Sequence, residues 1–110
     1  MEINKLVVST LAPLGIVTAF QSYNGTADKH IMYSVYDENE GAVYDDEATE
    51  IQHYIQLGYW CEKPQDLAVY QQIKQLMKKA GFKFDGAQDR FNDESGKYGK
   101  NIDFIYTEYL

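Results

Sequence analysis

The sequence has few cysteines, few basic residues and no long apolar run, and each shortage excludes a class of protein. A single cysteine, Cys61, cannot form an internal disulfide, which excludes a disulfide-stabilised scaffold. The apolar runs are too short for a transmembrane helix. The N-terminal residues also lack the basic start and the long apolar centre of a secretory signal. We therefore expect a protein that folds in a reducing cytoplasm.

Positive charge is scarce and unevenly placed. The net charge is −7, and there is no Lys or Arg between Lys29 and Lys63, a stretch that carries eight acidic residues. Residues 63–110, in contrast, carry eight basic and seven acidic residues. The basic surface typical of nucleic-acid-binding proteins is absent. The acidic stretch is either a solvated loop or a surface that orients the molecule against a partner.

The chain is short and rich in aromatic residues. Its 110 residues suit one domain spanning 1–110. Ten tyrosines, five phenylalanines and one tryptophan make 15% of the sequence aromatic, more than a core of this size can bury. Because tyrosine and tryptophan are enriched at protein interfaces, this excess favours a module that self-assembles or binds a partner.

The first half of the chain reads as one helix and two strands before the acidic stretch. Apolar residues at helical spacing predict a short amphipathic helix over 2–11, which Pro13 should end. Alternating apolar residues predict a strand at 16–20, and a run of β-forming residues predicts another at 31–36. Residues 37–48, which are acidic and contain a glycine, are predicted to form a loop.

The second half contains the clearest patterns. Strict alternation over 49–61 predicts a strand with one face on the core and the other half wet. A helical stripe predicts a helix at about 65–80 that ends at Gly81. Two more strands follow around a polar segment at 85–100, the last of them near 101–109.

The order of predicted elements is α-β-β-β-α-β-β, and it defines the expected fold class. Consecutive strands without helical crossovers favour antiparallel pairing. The sequence therefore predicts an α+β domain with a mostly antiparallel sheet of four or five strands and two helices on one face.

No motif for catalysis or for cofactor binding is present. His30 and His53 lie far apart without the spacing of a zinc site, and alternation places His53 among core residues, where a hydrogen-bonded packing role is expected. A calcium-loop pattern starting at Asp37 fails, because alanines stand at its sixth and twelfth positions. Weak cation binding by the carboxylates at 45–47 stays an alternative. No nucleophile elbow or phosphate-binding loop exists, so we expect no enzyme, no cofactor and no metal.

Several local strings carry a family resemblance over most of the chain. A short helix leads to a proline and then IVTAF, and IMYSVYDENEGAVYDDEATEIQHYIQLGYW follows. KPQDLAVYQQIKQLMKKAGF reads as a single sheet-covering helix, and YGKNIDFIYTEYL as the closing strand. In these features the sequence resembles the small tail-end proteins of long-tailed bacteriophages, which are called tail terminator, tail completion, head–tail joining or minor tail proteins.

The resemblance implies a structural role in the virion. It implies an α+β subunit that assembles, typically as a hexameric ring, at the head-proximal end of the tail tube in the bacterial host cytoplasm. The ring would stop tube growth and provide the surface for head joining. Its expected partners are further copies of itself, the tail tube protein and the head–tail connector proteins. Membrane is not among them, and DNA at most passes through the ring without specific binding.

Charge and aromatic content suggest which residues form the subunit interface. The acids of 37–48 have no basic residue nearby in sequence, and a lysine cluster of an adjacent copy would neutralise them. Alternatively, some of these acids line a DNA passage and repel phosphates. The predicted interface residues are Asp37, Glu38, Glu40, Asp45, Asp46, Glu47, Tyr54, Trp60, Lys78, Lys79 and Lys83.

A function from another class is the main alternative. A small, acidic, tyrosine-rich domain is also typical of an inhibitor or immunity protein that mimics DNA and blocks a basic site on its partner. A mimic should spread its acids over its whole surface, whereas eight of the seventeen acids here lie between Asp37 and Glu62. A measurement of the native mass separates the two hypotheses, since a ring of subunits is heavier than a stable monomer or dimer.

Overall fold

The computed structural model describes residues 2–44 and 47–110, without the side chains of 42–44. It contains two α-helices, two 3-10 turns and five strands. These are α1 (Ile3–Leu11), a 3-10 turn (Ala12–Leu14), β1 (Val17–Phe20), β2 (Lys29–Tyr44), β3 (Glu47–Cys61), a 3-10 turn (Pro64–Val69), α2 (Tyr70–Lys79), β4 (Lys83–Asn92) and β5 (Lys97–Tyr109).

The five strands form one sheet in the order β1-β2-β3-β5-β4. Every neighbouring pair is antiparallel except β1 and β2, which run parallel. The parallel pair is short because β1 has only four residues. The segment between β1 and β2 brings the chain back to the end of the sheet at which β1 starts. The predicted α+β class, element order and mostly antiparallel sheet are confirmed.

Both helices cover the same face of the sheet and bury its apolar side chains. The alternation predicted for 49–61 is present, since the side chains that β3 turns to the helices are buried. Fully burying an aliphatic side chain of this size contributes about 1.5–3 kcal/mol. The buried core consists of Ile3, Val7, Leu11, Ile31, Tyr33, Ile55, Leu57, Tyr59, Cys61, Ile73, Met77, Phe82, Ile102 and Phe104.

The helix predicted at 65–80 begins differently from the expectation and ends as expected. Its first turn, Pro64–Val69, is a 3-10 helix, because the buried hydroxyl of Tyr59 donates to the carbonyl of Asp66 at 2.9 Å. The amide of Tyr70 turns instead to nearer carbonyls, including that of Leu67. At the other end Gly81 has φ 102°, in the left-handed region that a side chain would disfavour.

The prediction of a loop over 37–48 was wrong. β2 continues to Tyr44 and β3 starts at Glu47, and the two strands pair as a long hairpin from Asp37 with Tyr54 to Tyr44 with Glu47. Local propensity does not predict strands here, since acidic residues and glycine are poor strand formers. Hydrogen bonding between β2 and β3 stabilises the extended conformation instead. Asp45 and Asp46, which the interface hypothesis also names, lie outside the described residues.

The two strands predicted around the polar segment at 85–100 are present, and they are longer than expected because they take up most of that segment. β4 extends to Asn92 and β5 starts at Lys97. The Oδ1 atom of Asn92 accepts hydrogen bonds from the amides of Glu94 and Ser95, at 2.9 and 3.1 Å, which closes a tight turn. Polar side chains are compatible with β4 because it is an edge strand that is open to solvent.

Candidate interaction surface

The distal part of the long hairpin forms an arm, which we define as residues 37–44 and 47–54. A β-bulge between Val35 and Asp37 marks its base on β2. β5 supports one edge of the arm as far as Glu50, where it pairs through Tyr109. The molecule measures 52 × 26 × 22 Å, an elongation that a long hairpin readily produces.

The arm is acidic and has almost no basic partner within its own chain. Asp37, Glu38, Glu40 and Glu47 are exposed, and the carboxylate of Glu50 lies against Gly41. Within residues 2–44 and 47–110, no Lys or Arg forms an ion pair with these five acids. Their mutual repulsion is therefore relieved by solvent and by one buried histidine.

That histidine, His53, lies between two carboxylates at the base of the arm. It is 5% exposed, its Nδ1 lies 3.1 Å from Oε1 of Glu38, and its Nε2 lies 3.0 Å from Oε1 of Glu108. The imidazole ring therefore bridges two carboxylates that belong to different strands. The hydrogen bond from His53 lowers the pKa of Glu108. The expected hydrogen-bonded packing role of His53 is confirmed, and its contacts join β2, β3 and β5.

Tyr54 and Trp60 lie on the sheet face that the helices leave uncovered. Tyr54 sits at the base of the arm, where its hydroxyl donates to Gln52 Oε1 at 3.1 Å and its ring lies 6.0 Å from that of Tyr36. Trp60 lies six residues further along β3, about 20 Å away at strand spacing, and packs over Gly99. The structure therefore places these two predicted interface residues on one face, without bringing Trp60 to the arm.

Lys78, Lys79 and Lys83 form an exposed basic corner where α2 ends and β4 begins. Within the described part of the chain none of the three forms an ion pair. Lys83 pairs with Ile105 of β5, which in turn pairs with Tyr54. The basic corner is thus level with the base of the arm, on the opposite edge of the sheet and three strand spacings, about 14 Å, from β2.

Sequence reasoning missed a groove on the uncovered face, around His30. The groove has a volume of about 250 Å³, and Tyr23 stacks on the ring of His30 at 4.5 Å. Burial, with a smaller contribution from the charge of Lys97, lowers the pKa of His30. Lys97 Nζ is engaged, because it donates to the carbonyl of Ala27 at 3.2 Å. The stacking of Tyr23 on His30 had no signal in the sequence.

The described residues provide neither a convergent metal site nor a spanning helix. Over 2–44 and 47–110, no three His, Cys, Asp or Glu side chains are grouped so that they hold a metal ion. None of the helices in these two ranges has the length and apolar character needed to cross a bilayer. The sequence matched no protein-family model and no curated protein. The arm and the basic corner are therefore the features of the molecule that point to a function.

Proposed function

We propose that this chain is a non-enzymatic structural subunit of a long-tailed bacteriophage, which forms a ring, most simply a hexamer, at the head-proximal end of the tail tube. In this role it ends tube growth and provides the surface to which the head joins. The observation that carries the proposal is the acidic arm projecting from a sheet whose opposite edge carries a basic corner. Family resemblance in the sequence supplies the biological setting.

Two complementary patches on opposite edges favour a closed ring. A surface that meets a different surface of the next copy produces a head-to-tail contact, which closes into a ring when the rotation between copies allows it. The arm lacks its own Lys or Arg partners, and the basic corner lacks acidic ones within the described chain. Each exposed ion pair contributes only about 0.2–1 kcal/mol, but the contact repeats at every interface.

The aromatic residues beside the arm support contacts with neighbours above or below the ring. Tyr36 is 55% exposed and lies beside Tyr54, so aromatic surface reaches solvent next to the arm. Aromatic side chains of this kind are enriched at protein interfaces because the ring is apolar and the hydroxyl stays hydrated. We assign this aromatic surface to a contact with the tail tube protein or with a head–tail connector protein. Acids of the arm that face the lumen would repel the phosphates of DNA and prevent the DNA from binding as it passes through.

A charge-swap experiment tests the proposal. The arm variant carries Glu40→Lys and Glu47→Lys, and the corner variant carries Lys78→Glu and Lys79→Glu. We expect each double variant to lose ring mass in native mass spectrometry, and an equimolar mixture of the two to recover hetero-interfaces. In a phage that lacks the parent protein, each variant alone should give tails of uncontrolled length or tails without heads.

Two outcomes would contradict the proposal. If the parent stays monomeric at high concentration and low salt, and tail assembly does not require it, the ring subunit is excluded. A monomer that instead binds a basic protein with micromolar or tighter affinity would support the acidic inhibitor alternative. Lys5→Glu serves as a control for position, because it makes on an exposed lysine of α1 the same Lys-to-Glu change that the corner variant makes at each of its two sites.

A further inference from the structure

The sheet has one strand edge that is open along the arm. β1 pairs with β2 only as far as Tyr33, through Phe20, and the amide of Gln21 then donates to the Tyr33 carbonyl at 2.8 Å. Beyond this point, residues 34–44 of β2 have no strand on that side within the described chain. Open strand edges of this length expose a row of backbone donors and acceptors that pair readily with another strand.

The arrangement of backbone groups along this edge follows from the Tyr33 contact. Since the Tyr33 carbonyl faces β1, the backbone groups of Tyr33 and Val35 point away from β3, as alternation along a strand requires. The bulge between Val35 and Asp37 inserts one extra residue and shifts the alternation. The outward-facing amides of the arm are consequently those of Glu38 and Glu40.

The other edge of the sheet offers a strand of matching length and direction. β4, Lys83–Asn92, is the last strand of the sheet and is nearly as long as the open part of β2. Successive antiparallel pairs make β4 run opposite to β2. In a ring whose copies keep their strand direction, β2 of one copy meets β4 of the next as an antiparallel pair.

We propose that the open edge of β2, residues 34–44, pairs with β4 of a second copy, so that one sheet continues through the assembly. This inference deepens the proposed ring function and rests on it. Charge favours this partner, because the two acids of β4 are balanced by Lys83 and Arg90, whereas two acidic arms would repel each other if they paired edge to edge. Antiparallel pairing instead brings Lys83, with Lys78 and Lys79 beside it, toward the acidic end of the arm.

The offset between copies is compatible with closure. Within one chain Lys83 is level with Asp37, whereas pairing of β4 along residues 34–44 moves the neighbour's Lys83 by about six residues, roughly 20 Å. The repeat across β2, β3, β5 and β4 is about 19 Å wide at a strand spacing of about 4.8 Å. These lengths tilt the strands by about 45° to the ring axis, and closed barrels tilt theirs by about 35–45°.

A proline substitution separates backbone pairing from charge attraction. Glu40→Pro removes both the outward amide and the charge, whereas the matched control Glu40→Gln removes the charge alone. An edge strand tolerates proline where the lost amide has no partner. In the full-length protein we expect Glu40→Pro to raise the subunit dissociation constant at least tenfold above that of Glu40→Gln, measured by analytical ultracentrifugation.

Hydrogen exchange of the parent protein gives a second measurement that does not depend on a variant. We expect the amides of Glu38 and Glu40 to exchange at least tenfold more slowly in the assembled protein than in the dilute monomer. Equal exchange in the two states, or equal dissociation constants for Glu40→Pro and Glu40→Gln, would overturn the edge pairing while leaving a ring intact. If these amides are protected in the assembly but the protein does not restore tail formation in a phage that lacks it, the proposed function is wrong and the edge pairing stands.

Discussion

The Nδ1 atom of His53 lies 3.1 Å from Oε1 of Glu38, at the point where the acidic arm leaves the body of the sheet. Glu38 is the arm acid that has a basic partner within the described chain, and Glu108 holds the other side of the same ring. Because the three residues belong to three adjacent strands, the contact fixes the base of the arm. The arm therefore meets a neighbour in a defined orientation, which lowers the entropy cost of assembly.

Replacing His53 should loosen this junction. His53→Leu fills the same buried position with an apolar side chain, but it removes the imidazole ring that contacts both carboxylates. We expect the free energy of unfolding to fall by about 1–3 kcal/mol, the usual effect of losing charge-assisted hydrogen bonds. Urea denaturation measures this change. Glu40→Gln is the control, since it alters an arm acid that is remote from the ring and should stay within about 0.5 kcal/mol of the parent.

Acid should destabilise the protein in two separate pH windows. The lowered pKa of His30 means that the unfolded chain binds more protons than the folded chain just below the ordinary value of 6.5. Stability is therefore complete above pH 6.5 and decreases as the pH falls toward the folded pKa of His30. The lowered pKa of Glu108 acts below its ordinary value of 4.5, where stability again decreases with acid.

Two variants show which residue is responsible for each pH window. His30→Gln should flatten the dependence of the unfolding free energy on pH just below 6.5, whereas Glu108→Gln should flatten it only below 4.5. Thermal melts across a pH series provide the measurement. An unchanged slope in both variants would show that other groups dominate the acid response.

Helical packing predicts a graded cost for truncations on α2. Ile73 is fully buried against the sheet, whereas Leu76 is only half-buried at the edge of that contact. Ile73→Ala should cost about 2–5 kcal/mol through the cavity that it leaves, and Leu76→Ala should cost clearly less. Ile55→Ala, on the facing strand, should resemble Ile73→Ala. Equal losses for Ile73 and Leu76 in chemical denaturation would contradict this packing.

Sequence patterns predicted the body of the fold better than its edges. The alternation of β3 and the Gly81 stop of α2 are local signals, and both are present in the structure. The arm and the full length of β4 escaped prediction because acidic and polar residues disfavour strands locally, and cross-strand pairing compensates for this only in the folded chain. The junction at His53 was out of reach for another reason, since its partners Glu38 and Glu108 lie 15 and 55 residues away.

Trp60 should report on the uncovered face through its contact with Gly99. A Cβ atom at Gly99 would lie 2.6 Å from the indole ring, so Gly99→Ala forces the ring to move. We expect a loss of about 1–3 kcal/mol and a change in tryptophan fluorescence. Gly58→Ala is the matched control, because its added Cβ meets no atom closer than 3.5 Å. Since Trp60 is the one tryptophan in the chain, an unchanged emission spectrum in Gly99→Ala would contradict the contact.

Neutralising the end of the arm should separate folding from assembly. The triple variant Asp45→Asn, Asp46→Asn and Glu47→Gln removes three like charges from consecutive positions, and Glu47 is exposed at the start of β3. Because like charges repel, we expect the monomer to melt at the same temperature as the parent or slightly above it. Assembly should weaken, since the basic corner of a neighbour then faces three fewer negative charges.

Salt provides the control for this last prediction. Screening should weaken assembly of the parent as the ionic strength rises, because the Debye length shortens from about 10 Å at 0.1 M to about 3 Å at 1 M. The triple variant should show a flatter salt dependence, with its low-salt assembly reduced toward the high-salt level of the parent. Sedimentation at several salt concentrations measures both curves. If the variant assembles and joins heads like the parent at low and at high salt, the end of the arm is only a solvated turn, and the interface lies elsewhere.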